Sequence, residues 1–131
     1  MVTVPPASAT NTDSLRSYRD LIVWQKGMEL VVAIYGLTEQ YPKNELYGLT
    51  AHTRKTAVSI PSNIAEGRMR GTRKDYRNFI IIALGSGAEL ETQIEIAKRL
   101  PFGMHLDFST VDALLDEVMR MLNAMSRSLK S

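Results

Sequence analysis

The 131-residue chain contains no cysteine. A disulfide framework and a thiolate zinc site are both excluded, and a reducing, cytoplasmic setting is the expected one. Long apolar runs are missing too. No stretch of about 18 consecutive apolar residues occurs, so a helical membrane span is not expected. Histidine is scarce. Neither His52 nor His105 follows a glutamate by three positions. The Glu-x-x-His pairs with which helical bundles hold two-metal centres are therefore absent, and no metal or other cofactor is expected. Ser59, Ser62 and Ser86 have no histidine in their sequence context, so nucleophilic catalysis has no visible constellation either. The chain reads as a binding protein and not as an enzyme.

Sustained apolar–polar alternation is also lacking, which leaves strands unsupported. What is present is helical periodicity, in four segments. The first spans about 20–40, with Leu21, Trp24, Met28, Val31 and Tyr35 at steps of three and four, and Pro42 just beyond its end. The second spans about 46–69, with Leu49, Val58, Ile60, Ile64 and Ala65 as its apolar side. Pro61 lies inside it and removes one backbone donor, so a kink is expected there, eased by Ser59, Ser62 and Asn63. Thr72 is placed to cap the third segment, whose face is Tyr76, Phe79, Ile80, Ala83, Gly87, Leu90, Ile94 and Ala97. Pro101 ends it. Ser109 is placed to cap the fourth, with Val111, Leu114, Leu115, Val118, Met121, Leu122, Met125 and Leu129 inward. Four helices of similar length on short links predict one all-α domain, an antiparallel up-down-up-down four-helix bundle over 18–131. Residues 1–17, with Pro5 and Pro6 among Ala, Ser and Thr, read as a disordered tail.

Leu84-Gly85-Ser86-Gly87-Ala88 resembles a phosphate loop only superficially. The third glycine is missing and no strand precedes it. Two glycines inside a helix each cost up to about 1 kcal/mol against alanine, which points to close packing, within the bundle or between subunits.

Charge is the most informative feature. The net charge of +2 says little, but its distribution is polar. Between 52 and 77, seven bases (Arg54, Lys55, Arg68, Arg70, Arg73, Lys74 and Arg77) face two acids, Glu66 and Asp75. Between 78 and 117, two bases face seven acids. Clustered Arg and Lys bind phosphates through charge and bidentate hydrogen bonds, so the seven bases are the candidate contacts to RNA or DNA. The alternative is that the same charges join subunits, in a protein-interaction scaffold that binds no nucleic acid.

Four stretches carry a family resemblance. They are Tyr18-Arg19-Asp20-Leu21-Ile22-Val23-Trp24-Gln25-Lys26, Leu46-Tyr47-Gly48-Leu49-Thr50, Ser59-Ile60-Pro61-Ser62-Asn63-Ile64-Ala65-Glu66-Gly67 and Gly85-Ser86-Gly87-Ala88-Glu89-Leu90-Glu91-Thr92-Gln93. Together, over about 18–129, they resemble the four-helix proteins encoded in intervening sequences of bacterial large-subunit ribosomal RNA genes. The accessory variability determinants of diversity-generating retroelements are similar. The resemblance implies a homo-oligomer, by family habit a ring-like pentamer. On the retroelement side it implies a basic surface for nucleic acid and a reverse transcriptase partner. It brings no catalytic residues. Arg54 and Lys55 stand where the family tends to have two arginines, and Gly87 where a bulkier residue is expected.

Overall fold

The structure is a computed structural model and describes residues 17–130. Apart from Ser17, the expected tail lies outside the described residues. Among those residues four long helices occur and no strand: α1 (Ile22–Thr38), α2 (Ala51–Met69), α3 (Arg73–Arg99) and α4 (Ser109–Ser128). α1 packs on α2 and α4, and α3 packs on the same two, so the helices close a square with α1 and α3 on its diagonal. With short links between successive helices, this is the expected up-down-up-down bundle.

Each helix starts and stops for a local reason. Ser17 accepts a hydrogen bond from the Arg19 amide at 3.0 Å and caps the short 3-10 turn Tyr18–Asp20 that leads into α1. Thr72 caps α3 as expected, accepting from the Asp75 amide at 3.1 Å. Between α2 and α3 the chain reverses through Gly71, whose φ of +88° lies in the left-handed region that side chains avoid. The start of α4 departs from expectation. Phe108 holds the cap position, and Asp107 accepts from the Ser109 amide at 2.9 Å, so Ser109 is already in the first turn. The Ser109 side chain first, and then this amide bond, hold the Asp107 carboxyl below its ordinary value.

The core is aliphatic. Leu30, Ile34, Ile60, Ile64, Ile80, Leu90, Val118 and Leu122 are fully buried. Each such side chain contributes about 1.5–3 kcal/mol relative to an exposed one. The faces of α3 and α4 are those expected. The face of α1 is not. Val23, Gly27, Leu30, Ile34 and Leu37 point inward, while Trp24 and Val31 are half-buried and Met28 and Tyr35 are exposed. Both stripes are apolar, and the inner one contains Gly27, whose lack of a side chain hides it from a hydropathy pattern. Gly27 faces Pro61 of α2, where an added Cβ would make an ordinary contact of 3.5 Å with the Pro61 Cβ.

Helix α2 continues through the buried Pro61 and does not end there, as expected. Upstream, the backbone leaves helical geometry at Gly48, with φ −107° and ψ −111°, in a π-helical turn over Leu46–Thr50. Asn63 Nδ2 donates to the Ser59 carbonyl at 2.7 Å beside the proline. Val58 faces outward, and Thr50, Thr53 and Thr56 are buried. Thr56 Oγ1 donates to the His52 carbonyl at 2.8 Å and accepts from Gln93 Nε2 at 3.0 Å, whereas the buried Thr53 hydroxyl has no hydrogen-bond partner among the described residues. The small-residue stretch of α3 is split: Gly87 packs so closely against the Met119 sulfur of α4 that a Cβ would collide with it, whereas Gly85 faces open space. No helix among the described residues is long and apolar enough to cross a membrane.

Candidate nucleic-acid interface

The bundle's connectivity sorts charge by end. At one pole α2 stops, α3 starts and α4 stops, and the Tyr18–Asp20 turn packs on α2 beside them. Residues 17–22, 66–77 and 126–130 form this pole, with eight bases against three acids. Five of the bases are those expected between 68 and 77. Arg19, Arg127 and Lys130 join them from the two chain termini.

Arg54 and Lys55 do not join them. They lie on the first turn of α2, about 21 Å along the helix from Arg68 at 1.5 Å per residue. Arg54 is also engaged. Its Nε donates to Thr38 Oγ1 at 2.8 Å, its Nη2 lies 3.3 Å from Glu39 Oε2, and its guanidinium sits 4.5 Å from the Tyr35 ring centroid. It ties α2 to the end of α1. Lys55 is exposed.

The bases at the pole hold different posts. Arg73 Nη2 donates to the Ser128 carbonyl and Arg77 Nε donates to the Ser126 carbonyl at 2.9 Å. The last carbonyls of a helix have no partner within it and carry the negative end of its dipole. Arg73 and Arg77 therefore close α4 from a neighbouring helix. Each uses one donor there. Arg68 is half-buried near Tyr76, whose hydroxyl is raised by burial and pulled back by the Arg68 charge. Arg70 pairs with Glu66 at 2.7 Å and lies over the Phe79 ring. Lys74, Arg127 and Lys130 are exposed.

Elsewhere most cations are neutralised. Lys26 faces Glu117 at 3.7 Å and Glu29 at 3.8 Å, Lys98 faces Asp112 at 2.8 Å, Arg99 faces Glu95 at 3.0 Å, and Arg120 pairs with Asp116. At the pole, Arg19, Arg73, Lys74, Arg77, Arg127 and Lys130 have no carboxylate within salt-bridge reach among the described residues. Such a surface attracts anions over a range set by the Debye length, about 10 Å at 0.1 M salt. The contributions of Arg127 and Lys130 were missed in the sequence because they lie about 50 residues from the basic run; a charged last turn on α4 was the available signal. Among the described residues no group of three His, Asp or Glu side chains is arranged to hold a metal ion.

Fold and pole together define a single-domain, all-helical bundle with one cationic end. The chain matches the 23S rRNA-intervening sequence protein family over residues 19–124, and it belongs to that family. The resemblance carried by Ser59–Gly67 and its companions is thereby borne out for the ribosomal branch. No curated protein matches significantly.

Proposed function

We propose that this protein is a non-catalytic accessory factor that binds nucleic acid end-on, through the cationic pole. One observation carries the reading: cations without carboxylate partners gather at one end of the bundle, while most others are paired. Counterion release on phosphate contact is the driving force, and it carries no base specificity. The retroelement resemblance adds a reverse transcriptase as a protein partner.

The test separates binding from folding. Lys74, Arg127 and Lys130 are exposed and hold up no other element. The triple change K74A/R127A/K130A is expected to leave thermal stability unchanged. It should weaken binding to structured RNA and duplex DNA, and flatten the log–log salt dependence by about one per charge removed. Unaltered affinity at about 50 mM salt would place the interface elsewhere.

Self-assembly is a second, compatible reading, and a separate observation favours it. Met28, Val32, Tyr35 and Val58 expose apolar surface on α1 and α2, and Ile81, Ile82 and Ile96 do so on α3. Since α1 and α3 are diagonal in the square, these are two unlike faces on different sides of the bundle. Unlike faces that meet head to tail close a ring, in keeping with the homopentamer implied by the resemblance.

A further inference from the structure

Charge alone does not account for the pole. Two of its arginines are held against aromatic rings. The Arg19 guanidinium lies 5.7 Å from the Tyr18 ring centroid and 5.6 Å from that of Trp24, and those two rings meet edge-on at 5.3 Å. The Arg70 guanidinium lies 4.8 Å from the Phe79 ring centroid while Glu66 holds its Nη2. Both arginines are exposed. On the same last turn of α2, Met69 is 66% exposed, an apolar surface of no use to a phosphate. A guanidinium seated on a ring is fixed in place, with its outward side left to solvent. Guanidinium planes and aromatic rings are the surfaces on which unpaired bases stack. A duplex keeps its base faces inside its own stack, so a seated guanidinium can meet its phosphates but cannot stack on its bases.

From these contacts we infer that the strand taken by the pole is single: unpaired nucleotides stack at Arg19 and Arg70 while their phosphates run past Lys74 and Arg127. The inference rests on the nucleic-acid reading above and narrows it to single-stranded segments, whether of RNA or of DNA.

The experiment uses the whole chain, an oligo-dT strand, an oligo-U strand and a blunt duplex with the same number of phosphates. Trp24 is the only tryptophan, so its emission reports on the Arg19 platform directly. Both single strands are expected to bind at least about tenfold tighter than the duplex and to change Trp24 emission. The charge-preserving double change R19K/R70K is expected to weaken single-strand binding about tenfold more than duplex binding and so to remove that preference. Equal affinity for strand and duplex, or a preference that survives R19K/R70K, overturns the single-strand inference and leaves a cationic pole that binds phosphate. Absence of binding to every probe at about 50 mM salt overturns the underlying reading as well.

Discussion

Tyr41 shows how much one buried atom sets. Its ring packs on Phe102 at 4.9 Å between centroids, joining the α1–α2 link to the α3–α4 link. Its hydroxyl is buried without a hydrogen-bond partner. Burial pushes its ionisation up to about 12 from an ordinary 10.0. Between those values the unfolded chain releases the proton and the folded chain keeps it. Stability is therefore unaffected below pH 10 and falls as pH rises toward about 12. Tyr41→Phe keeps the ring contact and removes the orphan oxygen. It is expected to be neutral or mildly stabilising near pH 7 and to flatten the alkaline loss, as read by urea unfolding near pH 7 and pH 11. Gly67 is the opposite case, a missing atom that matters. A Cβ there would lie 2.6 Å from the Phe79 Cβ, where α2 meets α3 beside the cationic pole. Neither atom sits on a flexible tip that can move aside. Gly67→Ala is expected to cost about 1–3 kcal/mol, measurable by thermal unfolding.

Among the elements, α4 depends on α3 for its closure. Its last carbonyls receive Arg73 and Arg77 from a helix about 50 residues earlier. Arg77→Ala is expected to fray the last turn of α4 and cost about 1 kcal/mol, seen as faster amide exchange from 122 onward. Lys74→Ala, one turn away on the same helix, is expected to leave that exchange untouched and weaken only nucleic-acid binding. The pair of variants separates two jobs that adjacent bases share. The break before α2 has a comparable logic. Gly48 takes the non-helical geometry, and Glu45 Oε1 accepts from the Leu49 amide at 3.1 Å, so the bend is placed by local chemistry upstream of Pro61.

Across the whole molecule, charge and apolar surface run in different directions. The cationic pole lies at one end of the bundle axis, and the two exposed apolar faces lie along its sides. Ring assembly and nucleic-acid binding therefore need not compete for the same residues, as a reading of the charges alone suggests. The side faces give a test of ring geometry. Val32→Asp spoils the α1 face and Ile82→Asp spoils the α3 face. Each variant alone is expected to be monomeric by light scattering. Mixed, they are expected to form heterodimers, because each retains the face the other lacks. If V32D alone is monomeric while I82D assembles normally, the contact is α1 against α1, and a ring of unlike faces is wrong.

By itself the sequence determined the helix count, the links and the faces of α3 and α4, because three-and-four spacing, prolines and a capping threonine act locally. It also determined the basic run at 68–77 and, through the Ser59–Gly67 stretch, the family. The tertiary structure alone decided which apolar stripe of α1 turns inward, since both stripes are apolar and only packing against α2 and α4 chooses between them. It alone separated Arg54 and Lys55 from the other five candidates, because a helix carries them about 21 Å away. It gave Arg73 and Arg77 their posts on α4, and brought Arg19, Arg127 and Lys130 to the same pole. Those outcomes depend on which ends of the helices come together, and an antiparallel bundle fixes that only when all four have packed.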